Sequence, residues 1–256
     1  MKRLSEKVKI ILSLAAAVCI LCAVVIPILA SKGYLSDGNS AEYSVEATPA
    51  LTDSRLAGKT VIFLGSSVTY GSASRGESFV EFLAKRDGII PVKEAVSGTT
   101  LVDNGSDSYI ARMKTIDKSV KADAFVCQLS TNDATKKLPL GEVSASFDIA
   151  DFDTSTVAGS LEYVIAYARD TWNCPVLFYT GTRYDSERYG EMVALLLDIC
   201  EKWNVTVIDL WNNAELNAVS AEQYKTYMAN GIHPTRAGYR DWWLPEFEKA
   251  LNQILY

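Results

Sequence analysis

The sequence predicts an α/β domain, a three-layer α/β/α sandwich built on a five-stranded, mostly parallel sheet. Three observations lead there. Between residue 60 and the C-terminus, five short runs rich in Val, Ile, Leu and Phe alternate with stretches of helical period. Most of these runs are nearly continuous in apolar residues, the pattern of a strand covered on both faces, and strand–helix alternation favours a parallel sheet with helices on either side. The composition, 48% hydrophobic and 22% charged, is that of a chain able to bury a core.

In chain order, a first strand is expected at 60–64 and a helix at 78–86 with Phe79, Phe82 and Leu83 on one face. A second strand at 92–96 leads through a polar loop to a helix at 109–116. The third strand falls at 124–129, followed by a helix at 156–171 that turns Val157, Leu161, Val164, Ile165 and Ala168 inward. A fourth strand at 176–180, a helix at 187–203 and a fifth strand at 205–210 complete the sheet. A last helix at 235–254 is expected to bury Tyr239, Trp243, Phe247, Leu251 and Ile254, bent at Pro245 because proline cannot donate its backbone hydrogen bond.

Ahead of this domain, residues 10–30 are almost wholly apolar, about 20 residues, enough to cross a bilayer as a helix. Lys2, Arg3, Lys7 and Lys9 precede the run, which places the N-terminus in the cytoplasm and exports everything after Ala30. Residues 1–30 are read as a membrane anchor, with a cleaved signal peptide and a secreted domain as the competing reading. The run is longer than a usual signal core, and Ile28 stands where a cleavage site needs a small side chain. Residues 31–57, rich in Ser, Gly, Ala and Thr, are expected to form a flexible linker, and 58–256 one domain.

Setting aside the first nine residues, four basic and one acidic, moves the net charge from −6 to −9. With no basic cluster among aromatics, a nucleic-acid partner is not expected. Cys127, Cys174 and Cys200 imply no disulfide framework. With a single histidine in the chain their spacing fits no zinc site, so neither metal nor cofactor is expected.

In parallel α/β sheets ligands gather at the carboxyl ends of the strands. The polar segments there are Gly65-Ser66-Ser67-Val68-Thr69, Ser97-Gly98-Thr99-Thr100 and Ser130-Thr131-Asn132-Asp133. Asn230-Gly231-Ile232-His233-Pro234, which holds the only histidine, precedes the last helix. Taken singly, each reads as a helix cap or a turn. In this order they resemble the SGNH (GDSL-type) hydrolases, named for a Ser, a Gly, an Asn and a His in four separated blocks. The resemblance covers residues from about 60 to 256 and implies the flavodoxin-like fold of that family. It implies Ser67 as nucleophile, His233 as general base, and the Ser67 N–H, the Gly98 N–H and the Asn132 amide as an oxyanion hole. The chemistry is coherent, because a serine hydroxyl needs a positioned imidazole to take its proton and a tetrahedral oxyanion needs fixed donors.

Two departures stand out. Ser66 replaces the acidic residue of the usual Gly-Asp-Ser, and Asn230 replaces the aspartate expected three residues before the histidine. An amide oxygen can accept the imidazole N–H but brings no charge, and a flipped amide would favour the wrong tautomer. Three outcomes follow: a Ser67–His233 dyad assisted by Asn230, another acceptor such as Asp209, or a domain without activity. At the same rim, Arg183, Tyr184 and Tyr70 are candidate substrate contacts, while Trp242 and Trp243 read as core rather than as a sugar platform. The expectation is a membrane-anchored, extracytoplasmic serine esterase acting on small acyl esters, acetyl above all, carried by a carbohydrate. Acyl transfer to a surface polymer and carbohydrate binding without reaction are the alternatives. Oligomeric state is not predicted.

Overall fold

The computed structural model describes residues 5–31, 33 and 35–256; Lys2 and Arg3 of the basic flank lie outside them. Strands β1 (Thr60–Gly65), β2 (Ile90–Ala95), β3 (Ala124–Gln128), β4 (Val176–Tyr179) and β5 (Thr206–Ile208) form one sheet in the order β2-β1-β3-β4-β5. Every neighbouring pair is parallel, so the expected α/β sandwich stands, with a sheet that is wholly rather than mostly parallel.

The helices are α1 (Glu6–Ser31), α2 (Ser67–Tyr70), α3 (Phe79–Asp87), α4 (Tyr109–Met113), α5 (Thr131–Thr135), α6 (Val157–Trp172), α7 (Glu187–Trp203), α8 (Ala221–Tyr227) and α9 (Leu244–Leu255). Successive strand residues point to opposite faces, which divides the core in two. Val61, Phe63, Val126, Leu177 and Tyr179 pack with Phe79, Phe82 and Leu83 of α3 and Phe247 and Leu251 of α9. Ile62, Leu64, Phe125, Cys127 and Phe178 pack with Tyr109 of α4, Leu161 and Val164 of α6 and Leu196 of α7. On the first face Phe79 stacks on Phe247 at 3.8 Å between ring centroids; on the second Phe125 stacks on Trp172 at 5.4 Å. Cys127, Cys174 and Cys200 are free and buried.

Helix starts follow local side-chain chemistry. Ser78 and Glu81 form a reciprocal capping box at α3, and Ser220 and Gln223 another at α8, each satisfying backbone N–H groups that a helix leaves unpaired. Helix α8 was not anticipated, since it buries none of its residues and so carries no apolar period to read. The last helix also differs from expectation. The chain is π-helical over Gly238–Trp243 and becomes α-helical at Leu244, so Pro245 sits in the first turn of α9 at a change of helical register instead of bending a continuous helix.

The flexible linker expected at 31–57 is corrected by the structure. From residue 35 the segment lies on the domain as a strap with two 3₁₀ turns, Asp37–Asn39 and Ala41–Tyr43, and Asn39 and Leu56 are fully buried. The Leu51 N–H donates to the Arg86 carbonyl, the Ser54 hydroxyl to Asp87 and the Val45 N–H to Glu77. A strap bound through backbone and short polar side chains leaves no hydrophobic period, which is why its composition reads as a linker.

The chain leaves β1 for β2 on one side and later returns to β3 on the other. That reversal opens a crevice at the carboxyl ends of β1 and β3.

Candidate active site

Ser67 opens α2 directly after β1 at this crevice. The turn is fixed by Gln128, the last residue of β3. Its side-chain oxygen accepts the N–H groups of Ser66 and Thr69 at 3.0 and 3.1 Å and the Thr69 hydroxyl at 2.8 Å. Its amide nitrogen donates to the Ser66 hydroxyl at 3.2 Å, so the neutral residue standing where an acidic one was expected is fully buried and paired within the turn. The Thr69 hydroxyl, already donating to Gln128, accepts from the Tyr179 hydroxyl at 2.7 Å. The Tyr239 hydroxyl donates to the Val68 carbonyl at 2.6 Å.

The second and third blocks are clamped together. The Asn132 amide donates to the Thr99 carbonyl at 2.9 Å, and one carboxylate, Asp133, accepts the Leu101 and Val102 N–H groups at 2.8 and 3.0 Å. Burial pushes the Asp133 carboxyl up, opposed by its hydrogen bonds from Ser130, Val102 and Leu101. Gly98 has φ +85°, a conformation that favours glycine, and space for a Cβ would be open there, so the glycine serves backbone shape rather than close packing. Arg112 joins this loop to the serine turn. Its buried guanidinium donates to the Gly65 carbonyl at 2.8 Å and to the Thr99 hydroxyl at 3.0 Å, and it pairs with Glu94 at 3.1 Å.

His233 arrives on a narrow loop closed by an antiparallel bridge between Met228 and Pro234 and by the Ala229 N–H on the His233 carbonyl. Its Nε2 lies 2.8 Å from the Ser67 Oγ and its Nδ1 3.0 Å from the Asn230 Oδ1. The same Asn230 oxygen accepts the N–H groups of Ile232 and His233, both at 3.0 Å. Those two backbone donors fix which way the amide faces, because reversing it would set its NH₂ against them. The oxygen therefore faces the ring, Nδ1 carries the proton and donates it to Asn230, and Nε2 is left to accept from the Ser67 hydroxyl. Burial holds the imidazole below the usual histidine range, so it is neutral at pH 7.

Asp209, the other acceptor considered from sequence, is engaged elsewhere. Its carboxylate takes the Thr180 hydroxyl and the Asn212 backbone and amide N–H groups. Tyr184 lies against the histidine loop, where a Cβ on Gly231 would meet its own at 3.8 Å. Burial pushes the Tyr184 phenol up to about 12. With Arg183, Trp211 and Asn212 it lines an open groove of about 520 Å³, and Arg183 lies over the Trp211 ring at 5.6 Å. Tyr70 is not among the residues that line this groove. It is exposed beside Lys93, which lies 5.7 Å from its ring. Trp242 and Trp243 are buried. Among the described residues no group of His, Cys, Asp and Glu side chains could hold a metal ion.

Sequence reasoning passed over Gln128 and Arg112. Each was visible as a lone polar residue in an apolar element, Ala124–Gln128 and Tyr109–Met113, the signal of a buried group with a specific partner.

The profile of the GDSL-like lipase/acylhydrolase family matches residues 63–240, and no curated protein matches the chain. Among solved structures, a protein from Lactobacillus plantarum superposes with a TM-score of 0.65 at 20% identity, covering 78% of this chain and 99% of its own. An acetyl xylan esterase gives a TM-score of 0.53 at 16% identity, covering 75% and 98%. A family two carbohydrate esterase from Clostridium thermocellum, solved with cellohexaose, gives 0.52 at 15% identity, covering 79% and 67%. At these identities the likeness is one of fold.

Proposed function

Because this chain belongs to the GDSL-like lipase/acylhydrolase family, a family of hydrolases, we propose that it is a serine esterase that removes small acyl groups, acetyl above all, from a carbohydrate. The observation that carries the reading is the continuous hydrogen-bond chain from Ser67 through His233 to Asn230.

In the reaction, the Ser67 Oγ attacks the ester carbonyl carbon as His233 Nε2 takes its proton. The Ser67 and Gly98 N–H groups and the second N–H of the Asn132 amide hold the carbonyl oxygen as it becomes negative. The tetrahedral intermediate collapses, the C–O bond to the alcohol breaks, and His233 returns the proton to the departing oxygen. Water then attacks the acyl-serine, giving its proton to His233, and Ser67 recovers its hydrogen as the carboxylic acid leaves.

Asn230 orients the ring without charging it, as the asparagine of papain-like Cys-His-Asn sites does. In a serine protease, replacing the triad Asp by Asn lowers turnover by about 10⁴ through the wrong tautomer. Here the Ile232 and His233 N–H groups enforce the right one, so what is missing is only the electrostatic support of imidazolium. This favours a working site over an inactive binding domain.

The groove beside Tyr184 and Arg183 would receive the alcohol portion, and the names of the two carbohydrate-active neighbours support a sugar there. Helix α1 is long and apolar enough to cross a membrane from Glu6 to Leu29, with none of that window buried against the protein. The proposal includes its role as an anchor that holds the catalytic domain outside the cytoplasm.

The test is hydrolysis of an aryl acetate and of an acetylated oligosaccharide by the full chain in detergent. Ser67→Ala should lower kcat by at least about 10⁴-fold. Turnover by the parent that survives Ser67→Ala would overturn the reading.

A further inference from the structure

The strap at 35–57 lies outside the family match, which begins at residue 63, yet one of its residues bonds to both the segment that follows Ser67 and the segment that follows His233. The Asn39 amide nitrogen donates to the Ala73 carbonyl at 2.7 Å and to the Gly33 carbonyl at 2.6 Å. Ala73 follows the serine helix α2 by three residues. The Asn39 side-chain oxygen accepts the Arg236 N–H at 2.8 Å, three residues beyond His233, and its backbone carbonyl accepts from the Arg236 guanidinium at 3.3 Å. Asn39 is fully buried, and both amide hydrogens and the oxygen are used, so its geometry is fixed from three directions.

Neighbouring contacts reinforce the grip. Gly38 sits so close to the base of the histidine loop that a Cβ would meet the Thr226 carbonyl oxygen at 1.8 Å and the Thr235 hydroxyl at 2.5 Å. The strap thus presses on the residues just before and just after the loop. Glu77 ties the same pieces together, accepting the Val45 N–H of the strap with one oxygen and pairing with Arg236 through the other. Arg240 donates to the Glu42 carbonyl and lies over the Tyr43 ring at 4.8 Å. The histidine loop itself carries Asn230 and Gly231 in the open, and its position is set at its base.

We propose that Asn39 is a positioning residue for the reaction, a tie between the segment that carries Ser67 and the segment that carries His233, supplied by the chain that runs in from the N-terminal helix. This rests on the esterase reading for its effect on turnover, but not for its effect on the histidine. Losing the tie lets the His233 loop drift from Ser67 and admits water to the imidazole. A shift of about 1 Å between reacting groups can cost about 100-fold in rate.

Because the chain has one histidine, labelling that imidazole with ¹³C reads its titration without interference. In the full chain in detergent, Asn39→Ala should raise the His233 pKa back toward the ordinary value of about 6.5 and lower kcat for aryl acetate about 10- to 100-fold, with KM within about twofold. Glu77→Gln, which keeps Asn39 but has a single oxygen for the Val45 N–H or Arg236 and not for both, should move both readouts the same way by a smaller amount and serves if Asn39→Ala does not fold. Ser54→Ala loosens the far end of the strap at Asp87 and should leave both unchanged. A folded Asn39→Ala protein, or in its place a folded Glu77→Gln protein, with the parent's His233 titration overturns the proposal, whatever its thermal stability. A parent without Ser67-dependent turnover overturns the esterase reading alone, since the titration shift still reports the tie.

Discussion

The serine turn and the histidine loop meet at a 2.8 Å hydrogen bond, but they are held in place by different means. The turn is set against the carboxyl ends of the inner strands by buried groups, Gln128, Thr69, Tyr179 and Arg112, whose hydrogen bonds have no water to replace them. The loop leaves the last part of the chain, exposes its tip, and is fixed by an Asn230 side chain folded onto its own backbone and by the strap beneath it. A buried polar group left unpaired costs about 1–3 kcal/mol, whereas an exposed one recovers water. Substitutions on the serine side should therefore cost stability and rate together, while those in the exposed histidine loop itself should change the pH response and leave the fold intact.

The comparison is tested most strongly at Asn132. Asn132→Ala removes a proposed oxyanion donor and should lower kcat about 10²- to 10³-fold with little change in KM; a loss below about threefold would remove Asn132 from the oxyanion hole. Gln128→Leu should come next. It strands the Ser66 and Thr69 donors, costing on the order of 3 kcal/mol and lowering Tm by about 6–12 °C for a domain of this size. A Tm within 2 °C of the parent would show that the turn is not held by these bonds.

On the histidine side, Asn230→Asp keeps an acceptor for the same two backbone N–H groups and adds a charge. The parent imidazole is held below its ordinary range by burial, so its basic form predominates at pH 7 and activity should fall only as pH drops through the lowered value. A carboxylate at 230 stabilises the imidazolium, which raises that pKa and moves the acid limb of kcat/KM upward. The plateau rate should rise by about tenfold, an electrostatic gain of about 1.4 kcal/mol, so the advantage is full at pH 8 and shrinks or reverses near pH 5.5. A gain of 10³-fold or more would instead mean that Asn230 holds the wrong tautomer in the parent. The smallest effect is expected at Tyr184, where substitution by Ala should raise KM for an acetylated oligosaccharide a few-fold and leave aryl acetate unaffected. Equal changes with both substrates would place the sugar elsewhere.

Much of the fold was legible because it is written in local pattern. Strands covered on both faces must be apolar throughout, and helices α3, α6, α7 and α9 must show one apolar face, so Val61, Phe63, Leu161 and Phe247 announce their surroundings. Three of the four motif blocks could be located too, because residues after a parallel strand project into the same crevice whatever the loops between them do; the histidine block follows no strand and was found through the order of the four blocks. The strap was not, since hydrogen bonds from a Ser- and Ala-rich segment leave no period; Asn39 looks in sequence like an ordinary linker asparagine.

What the amino-acid sequence determined by itself was therefore the α/β sandwich and the apolar N-terminal helix, and it supplied Ser67, Gly98, Asn132 and His233 as the residues proposed to carry the chemistry. The tertiary structure decided how those residues are related. It decided that Asn230 turns its oxygen to the ring, because the Ile232 and His233 N–H groups approach from the other side. It decided that Asp209 belongs to another turn, and that residues 35–57 form part of the domain. Each of these depends on the direction of a hydrogen bond between atoms that only the folded chain brings within 3 Å or so, and direction has no counterpart in the order of residues along a chain.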